Sequence, residues 1–184
     1  MAGPKNEQMQ VFRRCQRLQL WVTLGLSGAL MLLEPKLAVS FMLGGEDVEL
    51  DRLQPLFSAM GAHFHRMGPY GSGAQAKVLN NLLAASHVAM TRLALDWSDD
   101  AGLDEDALLA LIHTSSGQNW FASGFSDIEF ARDGHQDDNT IAILVKDIES
   151  ALDAQPTGAD TTLPKAVRTV IAGLGPRSPS HPAK

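Results

Sequence analysis

The chain has 184 residues, with 15 Lys and Arg against 21 Asp and Glu, and a net charge of −6. That length allows one good core, or one domain with part of another, and the acidic balance leaves no broad basic surface for nucleic acid. The single cysteine, Cys15, excludes an intramolecular disulfide framework and fits a reducing compartment such as the cytoplasm.

In chain order, residues 1–17 are polar and mildly basic, and residues 1–20 fit no recognisable element. Leu18 to Leu33 is apolar, broken only by Gln19, Thr23, Gly25, Ser27 and Gly28. Two readings are open there: a signal or anchor segment, or a buried strand and turn of a soluble fold. The run is short for a membrane span and no small-x-small cleavage site follows it, so no membrane partner is expected. Leu37–Leu43, ended by Gly44-Gly45, reads as a strand. Glu46–Met60 reads as a helix with acids in its first turn and Gly61 as its stop. Ala62–Met67 reads as a short strand that sets His63 and His65 on one face. With no C-x-x-C or H-E-x-x-H spacing anywhere, no metal site is expected.

The stretch Gly68–Leu95, GPYGSGAQAKVLNNLLAASHVAMTRLAL, organises the rest. Gly68, Gly71 and Gly73 open it, and a long helix is expected from about Ser72 to Ala101. Its apolar residues cover more than one face, which suits the centre of a helical domain or of a dimer. Lys77 and Asn81 lie one turn apart, about 40° round the axis from each other, with Asn80 beside them. The N-terminus of a helix carries unpaired N–H groups and partial positive charge, and it can hold a carboxylate or phosphate. A lysine in that position can pass a proton to and from a hydroxyl. The plainer alternative is a Gly-started helix with a snorkelling lysine and a polar pair.

Further on, Asp104 caps a helix to His113, and Thr114–Gly117 forms a loop and N-cap for a helix from Gln118. Asp138-Asn139 caps a helix to about Ala154, whose stripe is Ile141, Leu144, Val145, Ile148 and Leu152. Lys146 and Asp147 interrupt that stripe. Leu163–Leu174 is a last helix with Pro164 in its first turn. Gly175 onward is Pro- and Ser-rich and reads as a disordered tail.

The segment GSGAQAKVLNN resembles the G-x-G-x-x-x-K-x-x-x-N segment of the β-hydroxyacid dehydrogenases, the family of 3-hydroxyisobutyrate and 6-phosphogluconate dehydrogenases. Three more pieces resemble that family in the same order: LAVSFMLGGEDVELDRLQPLFSAMG before it, then GLDEDALLALIHTSSGQNW and IAILVKDIESAL after it. The likeness runs from about Ser27 to Leu174 and looks nearest to the 3-hydroxyisobutyrate dehydrogenase branch. It implies a mainly α chain: an all-helical domain at 68–174 around one long central helix, preceded at 21–67 by a strand–helix–strand remnant of a dinucleotide-binding (Rossmann) domain. It also implies NAD or NADP as cofactor, a small hydroxyacid as substrate, and a homo-oligomer. By the same resemblance Lys77 is the general acid and base, and Asn81 positions the substrate. Ser27 and Gly28 resemble the Ser-Gly-Gly turn on the substrate carboxylate, with Ala29 in place of the second glycine, and the helix start at Gly73 assists them. Lys146 reaches toward the cofactor and substrate.

A hydride-transferring enzyme needs its nicotinamide cofactor, because no side chain carries a hydride. The usual grip, G-x-G-x-x-G between a strand and a helix, occurs nowhere in the sequence: Gly71-Ser72-Gly73 is followed by Ala74-Gln75-Ala76. The competing expectation is therefore a non-catalytic helical oligomerisation fragment that has lost cofactor binding.

Overall fold

A computed structural model describes residues 40–178 together with a short strand at residues 21–23. The elements in order are β1 (Trp21–Thr23), β2 (Ser40–Gly44), α1 (Asp47–Met60), β3 (His63–Gly68), α2 (Ser72–Asp100), α3 (Glu105–Thr114), α4 (Trp120–Ser123), α5 (Thr140–Asp153) and α6 (Thr162–Ala172). They form two compact units, one up to Lys77 and one from Val78 onward, with α2 running through the boundary. Most of the described chain is helical, as expected. The rest of the Leu18–Leu33 run, and residues 1–20, lie outside the described residues.

In the first unit the sheet order is β1-β2-β3, with β1 antiparallel and β3 parallel to β2. Alternation along β2 turns Phe41 and Leu43 to one face, where they are 1% and 3% exposed. Leu50 and Phe57 of α1 are buried with them, and Leu53 and Phe64 pack alongside. Phe41 stands opposite Phe64 in the β2–β3 register. The rings of Phe41, Phe57 and Phe64 stack with centroids 5.3–6.2 Å apart. At the rim of this face Arg66 of β3 bridges Asp47 at 3.1 Å and Asp51 at 2.5 Å on α1. All three side chains are well exposed, so the bridge orients more than it stabilises.

The turn from β3 into α2 depends on glycine twice. Gly71 has φ +92°, in the left-handed region. Gly73 is needed for closeness: a Cβ there would stand 2.4 Å from the Met42 carbonyl oxygen. The end of β2 and the first turn of α2 thus pack backbone against backbone.

In the second unit one face of α2 supplies Ala85, Val88, Ala89 and Leu95 to a core completed by Leu109 of α3, Phe121 of α4, Ile141, Leu144 and Ile148 of α5, and Val167 and Ile171 of α6. The α5 stripe read from the sequence is this buried face, with Val145 and Leu152 partly buried at its edges. Asp104 caps α3 by accepting from Ala107 N–H at 2.8 Å, and Asn139 caps α5 through Ala142 N–H at 3.2 Å. The N-cap of α4 differs from expectation. Asn119, not the Thr114–Gly117 hydroxyls, accepts from the N–H groups of Phe121 and Ala122, and the helix begins at Trp120. Thr114 Oγ1 instead donates back to the carbonyls of Ala110 and Leu111, which ends α3.

The second departure is at the C-terminal side. The segment after α6 is not loose as far as Arg177, which is 8% exposed. Its guanidinium pairs with Asp96 and Asp99 at 2.7 Å and with Glu105 at 2.8 Å, and Arg132 grips the other Glu105 oxygen. Arg92, 2% exposed on α2, donates to the carbonyls of Ala131, Asp133 and Gly175. Composition suggested disorder here, but the two arginines fasten the segment. Burial alone would raise the Glu105 pKa; the hydrogen bonds from Arg132 and Arg177 outweigh it and hold the pKa below the ordinary carboxylate value.

Two outcomes follow for stability. Gly73→Ala should cost about 2–4 kcal/mol in urea denaturation, because its Cβ meets backbone that cannot move aside. Arg177→Ala should cost roughly 3–5 kcal/mol by leaving the buried Glu105 short of a partner. Because the folded-state pKa of Glu105 is depressed, its contribution is full above the unfolded value near ~4.3 and fades as pH falls through the folded value. Urea midpoints measured from pH 7 down to pH 3 should therefore fall less steeply in Arg177→Ala than in the parent chain.

Candidate functional site

The candidate site is built on the first turns of α2. Gly73, Lys77 and Asn81 follow one another at four-residue spacing and so rise along one side of the helix. Gly73 is buried, Lys77 and Asn81 are half-buried, and Asn80 is exposed. Burial therefore separates the two amides: Asn81 shares the sheltered side with Lys77, and Asn80 faces water.

The electrostatics of the helix starts differ. The first turn of α1 holds Asp47 and Glu49 next to Glu46 at its N-cap, and α3 opens with Glu105 and Asp106 behind Asp104. The first turn of α2 carries no acidic residue. Dipole and unpaired N–H groups favour an anion at any helix start, and carboxylates already present repel it. The α2 start thus carries no side-chain acid to oppose an anion, and Lys77 stands one turn in. The strand-to-helix turn Gly44-Gly45-Glu46 does not fit a pyrophosphate, since three acids crowd it. No G-x-G-x-x-G turn occurs among the described residues.

Lys146 is exposed on α5, and its neighbour Asp147 is half-buried. Ser27 and Gly28 lie outside the described residues. His63 and His65 stand exposed on β3, and no group of three or more His, Cys, Asp or Glu able to hold a metal occurs among the described residues. Also among them, no helix is long and apolar enough to cross a membrane.

His87, read from the sequence as a core or surface histidine rather than a catalytic one, and Trp120, which sequence reasoning did not single out, each bury a ring nitrogen, Nδ1 and Nε1, that has no hydrogen-bond partner among the described residues. Burial lowers the His87 pKa below the ordinary imidazole value. That keeps the ring neutral at pH 7, where it can accept or donate to a small polar molecule. The signal for His87 was its place in an apolar helix; for Trp120 it was a large ring one residue after a cap.

Residues 71–176 match the family described as NAD-binding of NADP-dependent 3-hydroxyisobutyrate dehydrogenase. The NAD-dependent L-serine dehydrogenase of Pseudomonas aeruginosa is 39% identical over 82 residues, covering 45% of this chain and 28% of the relative. The 3-hydroxyisobutyrate dehydrogenase of the same organism is 30% identical over 141 residues, covering 73% of this chain and 47% of the relative. The structure of Mycobacterium tuberculosis 3-hydroxyisobutyrate dehydrogenase with L-serine superimposes with a TM-score of 0.63 at 24% identity, covering 75% of this chain and 52% of that one; this likeness is one of fold. The chain thus spans less than half the length of these curated relatives. With more than half of its residues inside the family match, and the glycine-started helix bearing Lys77 within it, the chain belongs to the NAD(P)-dependent 3-hydroxyisobutyrate dehydrogenase family of hydroxyacid dehydrogenases.

Proposed function

We propose that this chain supplies the substrate-binding and proton-transfer part of an NAD(P)-dependent oxidoreductase that reversibly oxidises the hydroxyl of a small β-hydroxyacid. The observation that carries the reading is the Gly73–Lys77–Asn81 face at a helix start free of acids, inside the family match. The substrates named for the relatives agree in chemistry. Both 3-hydroxyisobutyrate and L-serine carry a hydroxyl on the carbon next but one to a carboxylate carbon.

A bound nicotinamide would supply the hydride acceptor that no side chain provides. Lys77, as the free amine, takes the hydroxyl proton during oxidation and returns it during reduction. Asn81 hydrogen-bonds the substrate and holds its hydroxyl toward the lysine. The α2 start at Gly73, together with Ser27 and Gly28, binds the carboxylate. Lys146 reaches toward the cofactor and substrate, with Asp147 as its orienting neighbour. Placing these groups in line lowers the barrier mainly by removing the cost of bringing them together. The setting is the cytoplasm, and copies of the chain associate.

The second reading, a non-catalytic helical fragment that only associates, is favoured by the lack of any G-x-G-x-x-G in the sequence. A fluorescence titration with NADH and NADPH separates the two. Saturable binding at micromolar Kd, about −8 kcal/mol, supports catalysis by this chain. Lys77→Ala should then lower kcat for β-hydroxyacid oxidation by roughly 10²–10⁴-fold while cofactor binding persists. Absence of binding up to about 1 mM would reject independent catalysis and leave the associating fragment.

A further inference from the structure

The turn between β3 and α2 holds out an aromatic ring that the fold itself does not use. The amide of Ser72 donates to the Pro69 carbonyl at 3.1 Å and closes a four-residue turn. Gly71, in the third place, has φ +92°, as a type II turn requires, so Tyr70 stands at the apex. The turn is held firmly: the proline ring fixes φ at Pro69, and the Ser72 hydroxyl donates to the same carbonyl at 2.6 Å. Tyr70 is the one tyrosine of the chain and is 55% exposed. It takes no part in the apolar core of its unit, and among the described residues its hydroxyl has no hydrogen-bond partner. A large side chain just ahead of a helix often packs on the fourth helical residue. Here that residue is Gln75, polar and exposed, so no such staple forms.

The position of the turn supplies another use. Strands β2 and β3 run parallel and end side by side, Gly44 opposite Gly68, and the Gly45 amide donates to the Gly68 carbonyl at 2.9 Å. In open α/β sheets, ligands bind beyond the carboxyl ends of such strands. Tyr70 stands at that edge, two residues ahead of the helix that bears Gly73 and Lys77.

We propose that Tyr70 is a specificity-determining residue of the site described under the proposed function. Its ring packs on the substituent that a β-hydroxyacid carries between the carboxylate and the hydroxyl-bearing carbon. The inference rests on that reading for the presence of a substrate. In it the carboxylate lies at the α2 start and the hydroxyl at Lys77, one turn further in. The carbon next to the carboxylate is then the first that a side chain ahead of the helix meets. A tyrosine ring offers wide apolar contact with only two torsion angles to fix. It therefore favours an acid with a methyl group on that carbon over one with hydrogen.

A single tyrosine makes the test direct. The full chain labelled with 3-fluorotyrosine gives one fluorine resonance, and calorimetry on the unlabelled chain measures affinity independently. Both are titrated with 3-hydroxyisobutyrate and with 3-hydroxypropionate, which lacks the methyl, with and without NADH. The first acid should move the resonance and bind about tenfold more tightly than the second. Tyr70→Ala should remove that preference and Tyr70→Phe should keep it, with circular dichroism unchanged in both. Binding that leaves the resonance unmoved, or a preference that survives Tyr70→Ala, would overturn the role of Tyr70 and leave the proposed site standing. Failure of both acids to bind the parent chain would overturn the site and this inference together.

Discussion

The helical unit depends on two arginines buried among carbonyls and carboxylates. Arg92 is enclosed with three carbonyl oxygens, and among the described residues no carboxylate hydrogen-bonds it and its Nε has no partner. Burial lowers its pKa, and the charge of Asp96 works against that shift. Arg177, also buried, meets three carboxylates, and the hydrogen bonds it donates to Asp99 and Glu105 overcome the cost of burial and raise its pKa. One arginine is thus held by dipoles and the other by charges. Between them they tie α2, α3, the 131–133 loop and the chain after α6 into one body. Burying such groups is costly, so their effect lies in specifying one arrangement, since any other leaves a charge without partners.

That body presents α2, and α2 presents the candidate site. The close approach of Gly73 to the Met42 carbonyl leaves no slack at the helix start. Lys77 stands little more than one turn beyond it, on a helix that continues to Asp100. The role proposed for Lys77 gains from such a mount, because positional error of even one ångström is expensive in rate.

Much of this was legible in the sequence. The spacing of Ile141, Leu144, Ile148 and Leu152 announced α5 and its buried face, Asp104 and Asn139 announced their helices as caps, and Gly71 and Gly73 announced a tight entry into a long helix. These signals are local: each concerns residues a few positions apart. What could not be read was pairing at a distance. Nothing near Arg177 tells that its partners lie 81 and 72 residues earlier, at Asp96 and Glu105. A Pro- and Ser-rich neighbourhood argues for disorder until the carboxylates are in place. Asn119 was missed for a smaller reason: five hydroxyl or amide residues, Thr114, Ser115, Ser116, Gln118 and Asn119, stand before α4, and only the backbone path chooses among them. On α2 the alternation of two apolar faces was visible, but which face is covered depends on the packing of α3 to α6.

The distance between Arg177 and its partners bears on the order in which the unit folds. Helices α2 and α3 adjoin in sequence, so their contacts form early, and contacts across 70 or 80 residues come last because the loop they close is long. Until then Asp96, Asp99 and Glu105 sit together without the cation that neutralises them, repelling one another in a partly formed core. The enclosure of Glu105 thus depends on a cation that the chain supplies from 72 residues further on. Dissolved salt, by screening that repulsion, eases the first stage of folding and weakens the attraction that completes it.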